Sequence, residues 1–547
     1  MTEVLVIGSG ISGMTAAICC AEKGIKVTLV SPDMSERSQS VMAAGGINAA
    51  LDHMGEGDCS EKHAEDTLKG GCMLAGKEAV KGLCEHAPDI IRWLESLGTV
   101  FTLNTEGKID QRAFGGQSCR RTCYCGASSG KQIVTALIME ARRFEAMGLI
   151  ERKIRYYFHS GLIHDGKCYG ALLLNAQNGQ LESFYADAVI MATGGQNALF
   201  GKTTGSTRCD GYAAGRLFMQ GAALKNLEFI QYHPTTMETV QKRMLISEAV
   251  RGEGGRLYYV DDGKRVYFME DRFGEKGNLM PRDIVSRCMF ETGRDIFLDI
   301  SFRDDDFIDR RIPEVRDLCM KYRGIDIHKE SIPVEPSVHF FMGGLAADQN
   351  HETNICDLYA VGECASRYHG ANRLGGNSLL AAIHSGMLAS EAIASRKKQE
   401  RDSLSYDFQE YIRQEQSELD ALRKSKSPFS VMHIRDLVSE IMKKELGIVR
   451  DETFLVKGIE DLDFYLDHAM HIHYDASVSL YDNYSLKAIL TLAKATLLCA
   501  RFRKESRGAH YRSDFPEMKE EWCAATIITF MDDEFRINLD RENRYES

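Results

Sequence analysis

The feature that most constrains the fold is a glycine pattern directly after the first apolar run of the chain. Residues 4–8 (VLVIG) form a short apolar run that ends in glycine, which predicts a buried parallel strand. Gly8, Gly10 and Gly13 then give the spacing G-x-G-x-x-G, and a helix-like segment leads to a second strand, KVTLVS. In this β–α–β setting the glycines permit a tight turn, close approach of a pyrophosphate and packing of helix on strand. This unit is therefore predicted to bind a dinucleotide.

Two observations refine the identity of the nucleotide. The general fingerprint places an acidic residue at the end of the second strand, where this chain has Ser31, so another group is expected to hold the adenosine ribose. Further strands that end in glycine turns are predicted much later, in YADAVIMATGG (185–195) and DLYAVGECA (357–365). A nucleotide fold assembled from such distant segments is typical of flavin-binding chains, so FAD is favoured over NAD.

The positions of these strands predict an α/β protein with a split Rossmann-like FAD-binding domain. A mixed α+β capping domain is inserted into it, and a helical domain and a short C-terminal segment follow, because charged residues then recur at helical spacing. The predicted bounds are 1–233 and 346–400 for the FAD-binding domain, 234–345 for the capping domain, 401–510 for the helical domain and 511–547 for the C-terminal segment. In that last segment, ATIITF and FRINLD predict a β-hairpin.

Composition argues against several other classes of protein. The net charge of −12 argues against a nucleic-acid-binding surface. The 16 cysteines are scattered, and the spacing in CRRTCYC (119–125) matches no common zinc or iron–sulfur pattern, so free thiols and no metal are expected. No signal-peptide pattern opens the sequence, and no apolar run reaches the ~18 residues that cross a bilayer. We expect a cytoplasmic protein without direct membrane insertion.

Five later segments each carry a histidine or an arginine, mostly beside small residues. They are EFIQYHPTTM (228–237), LISEAVRGEGG (245–255), NLMPRDIVSR (278–287), SVHFFMGG (337–344) and HGANRLGGNSL (369–379). Singly, each histidine is more typical of a hydrogen-bonded structural residue. In this order, together with GSGISG (8–13) and ESRGAHYRSDFP (505–516), the segments resemble the fumarate reductase/succinate dehydrogenase flavoprotein family, which includes L-aspartate oxidase. The resemblance covers nearly the whole chain and implies the domain order given above.

The resemblance implies a site for a dicarboxylate dianion, fumarate or succinate. The residues that would hold its two carboxylates are His233, Ser247, His339 and Arg373. Arg282 would donate a proton while flavin N5 delivers a hydride, and Glu248 and Arg251 would return the proton to Arg282. Arginine is a poor acid in water, with a pKa above ~12. It can serve if it donates to a developing carbanion inside a buried relay that replaces the proton at once.

The glycine turns and the resemblance together give the expected contacts with FAD. Glu363 is expected near the ribityl or ribose region, and Asp210 and Ser378 lie in segments that would line the cofactor. The full predicted set is Gly8, Gly10, Gly13, Ser31, Ser38, Gln39, Ser40, Ala44, Gly45, Gly46, Ala192, Thr193, Gly194, Asp210, Glu363, Ser378 and Leu379.

Gln39 is the first departure from the family pattern. The run RSQSVMAAGG (37–46) corresponds to a stretch that, in membrane-associated relatives, carries a histidine bonded covalently to FAD. Gln39 stands in that position, so the segment should lie along the flavin without a tether at that residue. The resemblance implies that loss of the tether lowers the flavin potential, which favours giving electrons to fumarate. A tether at another residue, such as a cysteine, has no motif to support it.

Phe114 is the second departure and concerns the substrate. L-aspartate oxidase has a glutamate before the paired glycines of its EGGHS-like stretch, which can receive the substrate ammonium. Here the stretch is RAFGGQS, and Phe114 offers no carboxylate. Because burying an ammonium without a partner is costly, fumarate and succinate fit better than aspartate.

The leading interpretation is the flavoprotein subunit of a fumarate reductase. The chain has no haem-attachment motif, no ferredoxin-like cysteine run and no second flavin domain, so a separate iron–sulfur subunit is expected to supply electrons. That partner could hold the protein at the inner face of the cell membrane. Three alternatives stay open: L-aspartate oxidase, a reductase of another enoate, and an FAD-binding structural subunit with a vestigial site. The second stays open because residues 235–237 depart from the HPTG that is usual in the family.

Overall fold

A five-stranded parallel sheet forms the centre of the protein. The computed structural model describes residues 3–126, 128–240, 242–396, 406–424, 430–469 and 474–540. The inner strands are short and mostly apolar, as expected where a sheet is covered on both faces, whereas the edge strand Ile150–Ile154 carries three charged residues. The strand order across the sheet is Leu358–Ala360, Ala188–Met191, Glu3–Ile7, Lys26–Ser31 and Ile150–Ile154. Segments far apart in sequence therefore form one nucleotide-binding sheet.

Alternate residues of the first strand face two different layers. Val4 and Val6 pack into a core with helices, whereas Leu5 and Ile7 face an antiparallel β-meander. The helices that pack against Val4 and Val6 on one face of the sheet belong to a layer formed by Ile11–Glu22, Lys77–Ser96, Ser129–Ala146 and Asn377–Ser395. The meander strands are Tyr156–His164, Lys167–Asn175 and Leu181–Tyr185.

A second core belongs to the inserted segment, which forms a six-stranded sheet covered by helices. Two of its strands are long and carry His233 and His339. The strand order is Arg243–Leu245, Ile230–Glu238, Ile332–Phe341, Ile296–Asp299, Arg256–Asp261 and Lys264–Val266. The helices are Ala249–Gly252, Phe268–Phe273, Arg282–Thr292, Asp305–Arg311 and Pro313–Arg323.

Helices dominate the next part of the chain, and the hairpin predicted near its end is confirmed. The helices are Gln409–Lys424, Val431–Glu445, Glu452–Ala469 and Leu480–Phe502. The hairpin pairs Ala525–Met531 with Glu534–Asp540 and joins the edge of a sheet with three strands from earlier in the chain, Leu224–Lys225, Gly344–Ala346 and Ala365–Ser366. The C-terminal segment is thus built into the body of the protein. The exact bounds predicted for the domains stay a prediction.

The remaining elements are short and lie around the nucleotide-binding sheet. A small sheet contains Ile47–Asn48, Thr122–Cys123 and Gln111–Arg112. Two further helices are Ser60–Gly70 and Tyr212–Met219. The 3-10 turns are Ser35–Arg37, Gln39–Met42, Asn197–Phe200, Gly277–Leu279, Gly362–Cys364 and Glu520–Trp522.

The predicted fold class, a split α/β FAD-binding domain with an inserted capping domain and a helical domain, is confirmed. The sixteen cysteines, all within the described residues, are free thiols. Within the described ranges, no helix combines the length and apolarity that crossing a membrane requires.

Candidate active site

The glycine turn after the first strand forms a cradle that side chains would fill. A Cβ on Gly8, whose φ is +110°, would lie 2.2 Å from the carbonyl oxygen of Ala192. A Cβ on Gly13 would lie 1.9 Å from the carbonyl oxygen of Gly8, so this glycine permits packing and does not line the cavity. Gly10 does line it, and the Ser40 hydroxyl accepts a hydrogen bond from the backbone N–H of Ile11 at 3.1 Å.

One cavity brings the two predicted sets of residues together. It is bounded by the glycine turn, the ends of the first two strands, the segment of residues 37–46, and the capping domain. Every residue predicted to contact FAD except Gly13 lines it, as do all the predicted substrate contacts. Arg282 and Glu248 line it as well, whereas Arg251 lies behind Glu248 and does not.

The polar groups on this cavity fit FAD. The Ser38 hydroxyl is buried and has no hydrogen-bond partner within the described part of the chain. The Glu363 carboxylate accepts the backbone N–H of Phe341 at 3.1 Å, and burial raises its pKa to about 7. Gln39 also lines the cavity and is the first residue of the 3-10 turn Gln39–Met42. A group with many hydrogen-bonding atoms would satisfy these side chains.

The end of the cavity beside the second strand contains residues that the sequence interpretation missed. Asp33 lies two positions beyond Ser31 and pairs with Arg208, with 3.1 Å between carboxylate oxygen and Nε. Arg208 also donates to the Tyr157 hydroxyl at 3.1 Å, and the Tyr157 ring stacks on that of Tyr481. The signal was present in the sequence, since Asp33 is the acidic residue nearest to the position that Ser31 occupies.

Asp210 has a structural partner in the same region. Its carboxylate accepts the Tyr481 hydroxyl, with both oxygens 3.0 Å away, and the backbone N–H of Tyr212 at 3.1 Å. Because Tyr481 lies in the first turn of the helix Leu480–Phe502, the helical domain reaches the wall of the cavity. The sequence placed Asp210 near FAD but gave no sign of this contact.

The capping-domain side of the cavity is rich in cations and imidazoles. The rings of His233 and His339 lie 5.2 Å apart, and His339 Nδ1 is 2.8 Å from the Thr204 hydroxyl. Burial, reinforced by nearby arginines, holds the pKa of both imidazoles well below its usual range. Both rings are therefore neutral near pH 7, and each can donate one N–H to an anion. The Ser247 hydroxyl accepts from the backbone N–H of Ala249 and keeps its own proton available.

A buried chain of charges runs from the cavity into the capping domain. Arg282 donates through Nε to Glu248 Oε2 at 2.8 Å, and Arg251 lies 3.6 Å from the other oxygen of Glu248. The backbone N–H of Gly115 also donates to Glu248, at 2.8 Å. Burial alone would favour the protonated acid, but the two arginines and this N–H outweigh it and lower the pKa of Glu248 to about 2. Glu248 is therefore an ionised acceptor between two guanidinium groups.

Gln231 joins Arg282 and Arg373 on the cavity wall, and the sequence interpretation missed this residue. Its Oε1 accepts from Arg282 at 3.1 Å and from Arg373 at 2.9 Å. Its Nε2 donates to the Asn372 side chain and to the carbonyl of Arg373. Gln231 is fully buried, so these bonds fix both guanidinium groups relative to each other. It stands two residues before His233 on the same strand, which was the available signal.

Phe114 closes the space beside Arg282. A Cβ on Gly45 would lie 3.1 Å from this ring, and a Cβ on Gly375 would lie 3.0 Å from it and 3.3 Å from the Arg282 guanidinium. Phe114 is buried and presents only ring carbons to this part of the cavity. Because Gly45 and Gly375 have no side chains, the Phe114 ring can lie between the segment of residues 37–46 and Arg282.

Comparison with known proteins identifies the family. Residues 3–379 match the FAD binding domain family, and residues 435–544 match the fumarate reductase flavoprotein C-terminal family. The succinate dehydrogenase flavoprotein subunit of Bacillus subtilis is 36% identical to this chain over 547 residues, with 96% of this chain and 93% of that protein covered. The chain belongs to the succinate dehydrogenase/fumarate reductase flavoprotein family. The prediction of an FAD-dependent oxidoreductase of this family is confirmed.

Other members of the succinate dehydrogenase/fumarate reductase flavoprotein family are similar over their full length. One of the subunits of fumarate reductase (CoM/CoB) from Methanothermobacter marburgensis is 34% identical, with 96% of each chain covered. The structure of E. coli quinol fumarate reductase superposes with a TM-score of 0.90 at 28% identity and covers 100% of this chain and 98% of that chain.

Proposed function

We propose that this flavoprotein interconverts fumarate and succinate with non-covalent FAD, and that it works as a fumarate reductase. The observation that carries the proposal is the buried row of charged side chains Arg282, Glu248 and Arg251. Arg282, at one end of this row, lines the same cavity as two neutral imidazoles and Arg373. The relatives named above belong to a succinate dehydrogenase and to a fumarate reductase, which supports this reaction class.

The substrate carboxylates would be held by groups of complementary charge. Arg373 offers a buried guanidinium whose pKa is lowered by burial and by Arg282, so an anion beside it would be strongly stabilised. His233, His339 and Ser247 would add neutral donors, which fix orientation without further charge. Phe114 would face the carbon skeleton, which suits a dicarboxylate without an ammonium group.

Arg282 would donate the proton to the substrate carbon that becomes negative. Its Nη1 and Nε atoms are held by Gln231 and Glu248, which leaves the guanidinium in one orientation at the cavity wall. Glu248 is ionised and lies between Arg282 and Arg251, so it can receive a proton from one side and pass it to the other. Positive charge next to a developing carbanion would also lower the barrier.

FAD would supply the two-electron chemistry in the cavity that begins at the Gly8–Gly13 turn. Ser38, Ser40 and Glu363 would bind it, and Asp33 is the acidic group best placed to take the ribose contact that Ser31 lacks. Gln39 has an amide in place of a nucleophilic ring nitrogen, so the cofactor would be bound without a tether there. The cavity would thus hold cofactor and dicarboxylate together.

An electron-transfer partner is part of the proposal. The relatives are named as parts of larger enzymes, and no common iron–sulfur ligand pattern occurs in this sequence. A separate iron–sulfur subunit would carry electrons to or from FAD. That partner would also determine any attachment to the inner face of a membrane.

Anaerobic reoxidation of the reduced flavin tests the proposed function. We expect fumarate to restore the absorbance of oxidised flavin rapidly, and succinate to bleach oxidised enzyme more slowly. L-aspartate should cause little bleaching, because Phe114 leaves its ammonium without a partner. Bleaching by aspartate would instead assign the chain as an amino-acid oxidase, and no response to any of these acids would point to another enoate.

Acid precipitation tests the mode of FAD binding separately. We expect the yellow colour to remain in the supernatant and to run as free FAD, because Gln39 cannot form the bond that a histidine forms. The control is a relative with a tethering histidine, treated in the same way. Fluorescence that stays with the denatured polypeptide on a gel would show a tether at another residue and contradict the prediction.

A further inference from the structure

Lys242 is one of the residues that line the cavity. It directly precedes the strand Arg243–Leu245, and residues 242–245 all line the cavity. The strand is fixed to the neighbouring loop because the backbone N–H of Arg243 donates to the carbonyl of Thr203 at 3.2 Å. The next residue of that loop, Thr204, contacts His339 at 2.8 Å. The strand that follows Lys242 is therefore linked, through the loop of Thr203 and Thr204, to a predicted substrate contact.

Two cations near this strand have carboxylate partners. Lys202 pairs with Glu238 at 3.5 Å, and Arg243 pairs with Glu335. Lys443 of the helical domain makes no ion pair within the described residues, and burial and Arg243 lower its pKa, but it does not line the cavity. Lys202 and Arg243 are thus balanced by carboxylates, whereas Lys443 lies away from the cavity wall.

Lys242 is different because its charge has no such balance. In the part of the chain that the structure describes, its ammonium makes no ion pair and no hydrogen bond. Its side chain is half-buried, and burial alone lowers its pKa. A partly desolvated cation that faces a cavity without a counter-charge attracts anions more strongly than a solvated surface lysine does.

We propose that Lys242 forms an entry contact for dicarboxylate dianions, outside the position where His233, His339 and Arg373 would hold them. The inference rests on the proposed function, because it assigns the route by which that substrate reaches the same cavity. The chain carries a net charge of −12, which repels a dianion at long range. A local positive charge at the entrance would offset this repulsion and raise the rate of association.

Stopped-flow mixing of anaerobically reduced holoenzyme with fumarate tests the role of Lys242. For Lys242→Ala we expect the second-order rate constant of flavin reoxidation to fall by about three- to tenfold at low ionic strength, and less at high salt. The rate at saturating fumarate should stay within about twofold of the unaltered protein, since only association is affected. Lys242→Arg should retain most of the association rate, and Lys264→Ala, on an exposed hairpin of the capping domain, is the matched control.

A binding measurement separates this inference from the proposed function. Malonate, a dicarboxylate that cannot be reduced, is titrated against oxidised enzyme while the flavin spectrum is followed, with its monomethyl ester as the singly charged comparison. Weaker malonate binding in Lys242→Ala with little change for the ester supports the inference, even if fumarate fails to reoxidise the unaltered enzyme. Equal association rates and equal malonate affinities in Lys242→Ala and the unaltered protein would refute it. Faster FAD loss from the variant with unchanged association would assign Lys242 to the cofactor instead.

Discussion

Replacing Arg282 with alanine is expected to abolish turnover while leaving FAD bound. Arg282 is 7% exposed and pairs with Glu248 at 2.7 Å. Its neighbours Gln231 and Glu248 accept hydrogen bonds from it, so neither presents a proton that could replace the one Arg282 would donate. Removal of a positioned acid and of positive charge at a developing carbanion should lower kcat by about 10³-fold or more. Steady-state fumarate reduction with an artificial donor gives kcat, and the flavin-to-protein absorbance ratio gives FAD content.

Two further variants make this prediction specific. Arg282→Lys keeps the charge but loses the forked contacts with Glu248 and Gln231, so we expect it to recover only a small part of the activity. Arg294→Ala removes an exposed arginine of the same domain, which pairs with Asp261, and should behave as the unaltered protein. Near-normal kcat in Arg282→Ala with full FAD content would refute the role given to Arg282.

Replacing Arg503 with methionine is expected to destabilise the whole protein. Arg503 is fully buried, and its guanidinium donates to Glu228 at 2.7 Å and to Glu505 at 2.8 Å. It also donates to the carbonyl of Ala524 and to the Thr526 hydroxyl at the base of the C-terminal hairpin. Glu505 would keep its pair with Arg507, but Glu228 would be left fully buried without its ion-pair partner, at a cost of about 3–5 kcal/mol in the free energy of unfolding.

Chemical denaturation followed by FAD fluorescence measures the effect of Arg503→Met. The matched control is Arg501→Met, two residues earlier, where the side chain is 46% exposed and pairs with Glu452 at the surface. We expect the control to unfold within about 1 kcal/mol of the unaltered protein. A soluble control beside an insoluble Arg503→Met protein would be the extreme form of the expected result, whereas coinciding unfolding curves for the two variants would contradict it.

The sequence by itself determined the nucleotide-binding unit, because its signals are local. The turn at Gly8, Gly10 and Gly13 follows from short-range sterics, and the apolar runs around it have the length of buried strands. The inserted domain followed from the distance between the strands. The residues of the cavity came from a family resemblance over long motifs, and the structure places all of them on or next to one cavity.

Only the tertiary structure decided how these residues act on one another. Gln231 and Asp33 stand close to recognised positions in the sequence, but their partners Arg373 and Arg208 are more than a hundred residues away, and nothing in the sequence placed Lys242 on the cavity. Arg503 lies in the segment predicted only as a helical domain, and it is buried against Glu228, 275 residues away. Burial and the pairing of charges are properties of the folded arrangement, since the dielectric environment of a side chain is set by its neighbours in space and not by its neighbours in sequence.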